Sequence, residues 1–304
     1  MKKCVIIYNP KSGKKLVNNI FDRIRKVLSE YNYDLEIIYT KYRGHASEIV
    51  NNIDYADLVI SMGGDGTFSE IVSANVQRKK PLVLAILPQG TTNDIASMYG
   101  YGTNIITNLK NILSGTIKKV DICTINDNVF SYSACFGKFT DIPYTTPIKL
   151  KKKIGYLAYV VYMLKDIAGR PKLYDIDFEV GKEKHHGKYT FAIISNADRI
   201  AGFNNVYKDI KLDDDRFEVL FCNLTSGYKI FKNIRYLLKG KINEAPGFEF
   251  YRTNELKIKF NNKLEKNWCI DGDELEDNGD EFIIKNSYVV ELLLPKKNLK
   301  KLFK

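Results

Sequence analysis

Apolar positions in the first hundred residues alternate between two periods. The run KCVIIYNP (3–10) is almost wholly apolar, and residues 16 to 30 then place their apolar side chains at helical spacing. The same switch recurs: LEIIYTKY then GHASEIVNNI, ADLVISM then FSEIVSANVQR, and PLVLAILP then TTNDIASMYG. Strands apolar on both sides and joined by helices predict a parallel sheet covered on both faces. In such sheets ligands bind beyond the carboxyl ends of the strands. That rule gathers four loops on one rim: Asn9 to Gly13, Thr40, Gly63 to Thr67, and Pro88 to Asp94.

Beyond Val120 the pattern changes to short runs separated by Asp, Asn and Gly turns: FSYSACFG, KYTFAIISNA, RFEVLFCNL, ELKIKF, KNWCIDG and EFIIK. This spacing predicts an antiparallel sandwich or barrel, interrupted by helices near 149–168 and 227–239. A chain of 304 residues exceeds one ordinary core, so two domains are expected, 1–120 and 121–289, with a tail from about 290 packing back on the first.

Composition narrows the class. With 44% hydrophobic and 27% charged residues the chain reads as a soluble globular protein. The net charge of +11 calls for an anionic partner. No recognised nucleic-acid-binding motif accompanies it, which leaves a membrane surface or a phosphorylated ligand. Five widely spaced cysteines without a CxxC pair read as free, buried thiols of a reducing cytoplasm. The N-terminal apolar run is too short for a signal peptide, and the eleven residues IGYLAYVVYML cannot span a bilayer. KLKKK at 149–153 and the tail KKNLKKLFK put lysines beside apolar residues, as a bilayer surface would accept. Trp268 is expected in the core, His45 at a helix start, and His185 and His186 in an exposed polar turn.

The stretch SMGGDGTFSE (61–70) admits a tight turn with a capping Asp, or a loop whose bare backbone meets a phosphate. NPKSG (9–13), GGDGTFSEIV (63–72) and PQGTTNDIA (88–96) together resemble motifs of the bacterial diacylglycerol kinase family, soluble lipid kinases that share a core with sphingosine kinases. YTTPIKLKKKIGYLAY, IAGFNNVYKDIKLDDDRF and CIDGDEL follow in the family's order. GGDGT alone is shared with NAD kinases and phosphofructokinases; the combination is specific.

The resemblance implies a Rossmann-like (NAD kinase/diacylglycerol kinase-like) α/β domain followed by a β-sandwich that binds lipid. It implies transfer of the γ-phosphate of ATP to diacylglycerol or a related lipid, at the inner face of the membrane of a cytoplasmic protein. Other acceptors (polyprenol, a sphingoid base, phosphatidylglycerol) stay open, as do a catalytically weak binding protein, NAD kinase activity and a homodimer. By resemblance, Asn9, Pro10, Lys11, Ser12, Gly13, Thr40, Gly63, Gly64, Asp65, Gly66, Thr67, Glu70 and Thr91 bind the nucleotide. Asp65 anchors the catalytic Mg²⁺, Asp94 lies toward the acceptor hydroxyl, and Asp273 or its neighbour Glu274 is the base. A second Mg²⁺ is implied at KLDDDRF, on Asp214 and the carbonyls of Lys211 and Arg216. Four positions depart from the family pattern: Ser69, Ser97, Asp215 and Asp273.

Overall fold

The computed structural model of the chain describes residues 1–13, 19–137, 172–200, 202–207, 209–264, 267–277 and 279–304. The expected helix at 149–168, the KLKKK run and the start of the first helix lie outside the described residues. The chain forms two compact units, Met1–Val120 with Tyr288–Lys304, and Asp121–Ser287.

In the first unit β1 (Lys2–Tyr8), α1 (Ile20–Glu30), β2 (Tyr33–Tyr39), α2 (His45–Asn51), β3 (Leu58–Gly63), α3 (Asp65–Val76), β4 (Leu84–Pro88), α4 (Asp94–Met98) and α5 (Ile105–Leu113) follow one another. The strands pair in parallel in the order β2-β1-β3-β4. Cys4, Ile6, Leu58 and Ile60 pack with Ile24 and Leu28 of α1 and with Leu109 and Ile112 of α5. The alternate residues Val5, Ile7 and Val59 are equally inaccessible, so both faces of the sheet are covered, as a continuous apolar run requires. Arg78 fastens the end of α2 by donating to Val50 O and Ile53 O, each at 2.6 Å.

The second unit is antiparallel. Its strands are β5 (Thr116–Ile125), which begins in the first unit, β6 (Asn128–Phe130), β7 (Ser133–Gly137), β8 (Tyr174–Val180), β9 (Glu183–Tyr189), β10 (Phe191–Ser195), β11 (Arg199–Ile200), β12 (Phe203–Asn204), β13 (Phe217–Cys222), β14 (Phe248–Thr253), β15 (Glu255–Phe260), β16 (Trp268–Ile270), β17 (Asp273–Leu275) and β18 (Glu281–Leu294), whose second half belongs to the first unit. Short helices α6 (Gly227–Lys232) and α7 (Ile234–Leu238) fall in the expected interval. One sheet runs β14-β13-β10-β7-β16-β17; in the other, β15 lies between β8 and the first half of β18. Phe136 and Trp268 of the first sheet meet Phe260 and Phe282 of the second, with centroids 4.9 to 5.3 Å apart for Phe136–Phe260 and Trp268–Phe282. Trp268 is therefore core.

Three expectations need correction. The third helix begins at Asp65, not Phe68, because Gly66 adopts helical rather than positive φ. His185 and His186 lie on edge strand β9 rather than in a turn. His186 is exposed, whereas the His185 ring stacks on Phe178 at 4.9 Å and is half-buried. An edge strand carries polar residues for solubility, which disguises it as a turn. Finally, the tail's Leu302 and Phe303 are buried, with Phe303 stacked on Tyr99 at 6.4 Å and Lys118 over its ring. Those two side chains belong to the protein core, not to a bilayer surface.

Candidate active site

The carboxyl ends of β1, β3 and β4 are level, since Tyr8 pairs with Met62 and Gly63 with Pro88. Three loops therefore leave one rim and lock together. The Asn9 amide donates to Thr67 Oγ1 (3.0 Å) and Gly64 N–H to Ser12 Oγ (3.1 Å). Gln89 N–H donates to Gly63 O at 2.7 Å. The glycines are explained by contact: a Cβ on Gly90 would stand 2.6 Å from Gly64 Cα, and one on Gly13 (φ +60°) would overlap the Gln89 carbonyl. Gly66 is different. A Cβ there meets nothing within 4 Å, so its backbone borders open space.

Phe68 N–H makes the first bond of α3, to Gly64 O, so the N–H groups of Gly66 and Thr67 precede the helical ladder. A first helical turn of this kind, on a helix of twelve residues, favours an anion. Asp65 opens it. Its Oδ2 accepts Asp94 N–H at 3.0 Å and its Oδ1 accepts Ile95 N–H at 3.1 Å. Asp65 thus caps α4 from another loop, while Asp94 is buried at the first position of that helix. The cap reading and the site reading of Asp65 are compatible, since a carboxylate offers about four lone-pair directions and α4 takes two of them. Asn93, which sequence reading passed over, sits at φ 50° and closes the loop by bonding Gly90 N–H and O. The signal was present: Asn is the non-glycine residue that best tolerates this conformation.

Thr40 is tied by its N–H to Tyr8 O at 2.9 Å, at the same rim. Lys11 is exposed and reaches Lys41 O, Pro10 and Thr91 are exposed, and Thr67 is buried. Glu70 points elsewhere: its two oxygens accept Gly44 N–H (3.0 Å) and Ala46 N–H (3.2 Å), the start of α2. The same helix start uses His45, whose Nδ1 accepts Lys41 N–H. Glu70 therefore braces the loop that follows Thr40.

In the second unit β16 and β17 form a hairpin across Asp271-Gly272, both at positive φ, the two-residue turn that a DG pair specifies. The Asp271 carboxylate accepts N–H groups from Ser131, Tyr132 and Ser133 and the Ser131 hydroxyl, at 2.8 to 3.0 Å. Asp271, one residue of the CIDGDEL motif, thereby anchors the hairpin. Asp273 and Glu274 are exposed on successive positions of β17 and so address opposite faces. Glu274 accepts from the Asn267 amide at 2.9 Å.

In KLDDDRF, Asp215 takes the left-handed conformation (φ 62°), so Asp does occupy a glycine-like position. Its N–H donates to buried Asp121 at 2.7 Å. Negative charge is crowded here: burial and the neighbouring Asp215 and Asp214 raise the Asp121 carboxyl above its ordinary value. Burial pushes Glu218 up to about 8, despite Arg252 Nε at 2.9 Å. Lys211, Asp214 and Arg216 flank this cluster in sequence. Among the described residues no three His, Cys, Asp or Glu side chains are grouped to hold a metal.

A parallel α/β unit whose loops meet at one rim is followed by an antiparallel unit of two sheets. Residues 3–125 match the diacylglycerol kinase catalytic domain. Diacylglycerol kinases of Staphylococcus saprophyticus (26% identical, 90% of this chain, 89% of the relative) and Bacillus subtilis (25%, 90% and 90%) are similar to this chain. The crystal structure of a diacylglycerol kinase from Bacillus anthracis shares the fold at a TM-score of 0.78, with 23% identity over 96% of this chain and 97% of that one. The chain is an enzyme similar to the diacylglycerol kinases over 90% of its length, with their catalytic domain matched over residues 3–125.

Proposed function

We propose that the protein transfers the γ-phosphate of ATP to the hydroxyl of diacylglycerol or a closely related lipid, at the inner face of the membrane. The observation that supports this most is the setting of Asp65. A carboxylate held by Asp94 and Ile95 N–H stands at the start of α3, beside the open backbone of Gly66. Loops Asn9–Gly13, Gly63–Thr67 and Gln89–Thr91, with Thr40, cradle the phosphates and ribose through backbone N–H groups and hydroxyls. Glu70 acts through the loop it braces.

The donors are all oxygens, which suits Mg²⁺, an ion that needs only one or two carboxylates and keeps its waters. When bound, Mg²⁺ neutralises charge on the transferring phosphoryl group. Asp65 would hold it, and Asp94 lies toward the acceptor hydroxyl. Asp273 accepts the hydroxyl proton. The acidic crowding around Asp121, Asp214 and Glu218 fits a second Mg²⁺ on Asp214 and the carbonyls of Lys211 and Arg216.

Labelled ATP and mixed micelles carrying diacylglycerol, undecaprenol, sphingosine or phosphatidylglycerol test the reading. Label in phosphatidic acid above the other products supports diacylglycerol as acceptor; label in another lipid phosphate moves the acceptor, and label in none overturns the kinase reading.

A further inference from the structure

Strands β7 and β16 are antiparallel neighbours in which Cys135 and Cys269 are direct partners. The Cys135 thiol turns toward its partner strand, with Sγ 3.6 Å from Cys269 O. The bond from Asp271 N–H to Ser133 O (2.8 Å) makes that pair a hydrogen-bonded one. Two residues along, the cysteines occupy the same kind of pair, with Cα atoms about 5.5 Å apart. Disulfides span roughly 4.4–6.8 Å between Cα atoms, so the backbone needs little movement to close one. Both thiols are free. The remaining three cysteines, Cys4, Cys123 and Cys222, have no cysteine partner in their ladders.

We propose that Cys135 and Cys269 are a modification site: a reversible cross-strand disulfide formed by exchange with a low-molecular-weight disulfide. The half-buried Cys135 is the entry point. Its thiolate attacks one sulfur of the small disulfide and expels a thiolate, leaving a mixed disulfide. Cys269 thiolate then attacks the Cys135 sulfur and expels the second. Two protein thiols are oxidised, one disulfide is reduced to two thiols, and the two protons pass to the leaving thiols. Side chains in a hydrogen-bonded pair diverge, so the link closes under strain and reduces readily. Cys269 also partners Glu274 in the next ladder. The disulfide would therefore add a covalent tie to the hairpin bearing Asp273, which Asp271 already fastens to 131–133.

The neighbouring Cys269 sulfur and burial hold the Cys135 thiol well above its ordinary value, so exchange is slow and is best followed in mildly alkaline buffer. Native protein is incubated with oxidised glutathione, remaining thiols are alkylated, and the digest is mapped by mass spectrometry. The expected result is a loss of two hydrogens from the intact mass, a linked pair of peptides carrying Cys135 and Cys269, and recovery of both thiols with dithiothreitol. Cys135→Ser should lose the linkage. Glutathione retained separately on both cysteines, a link through Cys4, Cys123 or Cys222, or no reaction at all overturns the proposal. The readout is independent of any kinase activity.

Discussion

Both carboxylate oxygens of Asp65 accept backbone N–H groups from α4, Oδ2 from Asp94 at 3.0 Å and Oδ1 from Ile95 at 3.1 Å. One residue thereby joins the loop after β3 to the loop after β4. It fixes Asp94 in place and puts a carboxylate in the first turn of α3.

Asp65→Asn separates those two duties. The amide keeps one acceptor for α4 but loses the charge and one N–H bond, so stability should fall by about 1 kcal/mol, the usual worth of a cap. Turnover of ATP with lipid should be abolished. A melting curve and a turnover assay on the same preparation check this; near-normal turnover removes Asp65 from the metal role.

Two glycines of the rim should respond oppositely to alanine. Gly90→Ala forces a Cβ within 2.6 Å of Gly64 Cα, and such overpacking costs typically ~1–3 kcal/mol. Gly66→Ala meets no atom and replaces glycine inside a helix, which should leave stability equal or higher by up to ~1 kcal/mol. Its ATP affinity should nevertheless drop, because the methyl group enters the space that the phosphates use. Urea unfolding and nucleotide titration distinguish the pair; unchanged ATP binding in Gly66→Ala would place the nucleotide elsewhere.

If Mg²⁺ rests on Asp214, metal binding stabilises the folded state by linkage. Wild type should melt earlier in chelator, and Asp214→Ala should respond to chelator less than wild type does. Equal chelator sensitivity in both proteins would remove the ion from this loop.

Asp273→Asn should lower turnover by roughly two to four orders of magnitude, the worth of a positioned base, with ATP binding nearly unchanged. Asp273→Glu adds one methylene of reach and should retain or raise activity. Glu274→Gln should be mild, as Glu274 is turned to the opposite face and paired with Asn267. The reverse pattern, inactive Glu274→Gln beside active Asp273→Asn, would shift the base by one position.

Much of the first unit was legible because local pattern and final environment agree. A parallel strand buried on both faces must be apolar throughout, so KCVIIY and LVISM announce themselves, and the glycines and acids at their ends mark the rim. The sandwich was legible in kind, since regular short runs with Asp and Gly turns have few other solutions. Strands such as EKHHGKY and YDIDFEV were not, because a half-solvated strand mixes polar and apolar positions and an edge strand resembles a loop. What only tertiary structure decided is who meets whom. Asp65 and Ile95 lie 30 residues apart, yet level strand ends make them hydrogen-bond partners. Glu70 shares a motif with Asp65 but its carboxylate turns to Gly44, and Phe303, in a tail with five lysines, lies against Tyr99. Sequence spacing fixes residue types and periods; strand register and packing decide which of those side chains share a site.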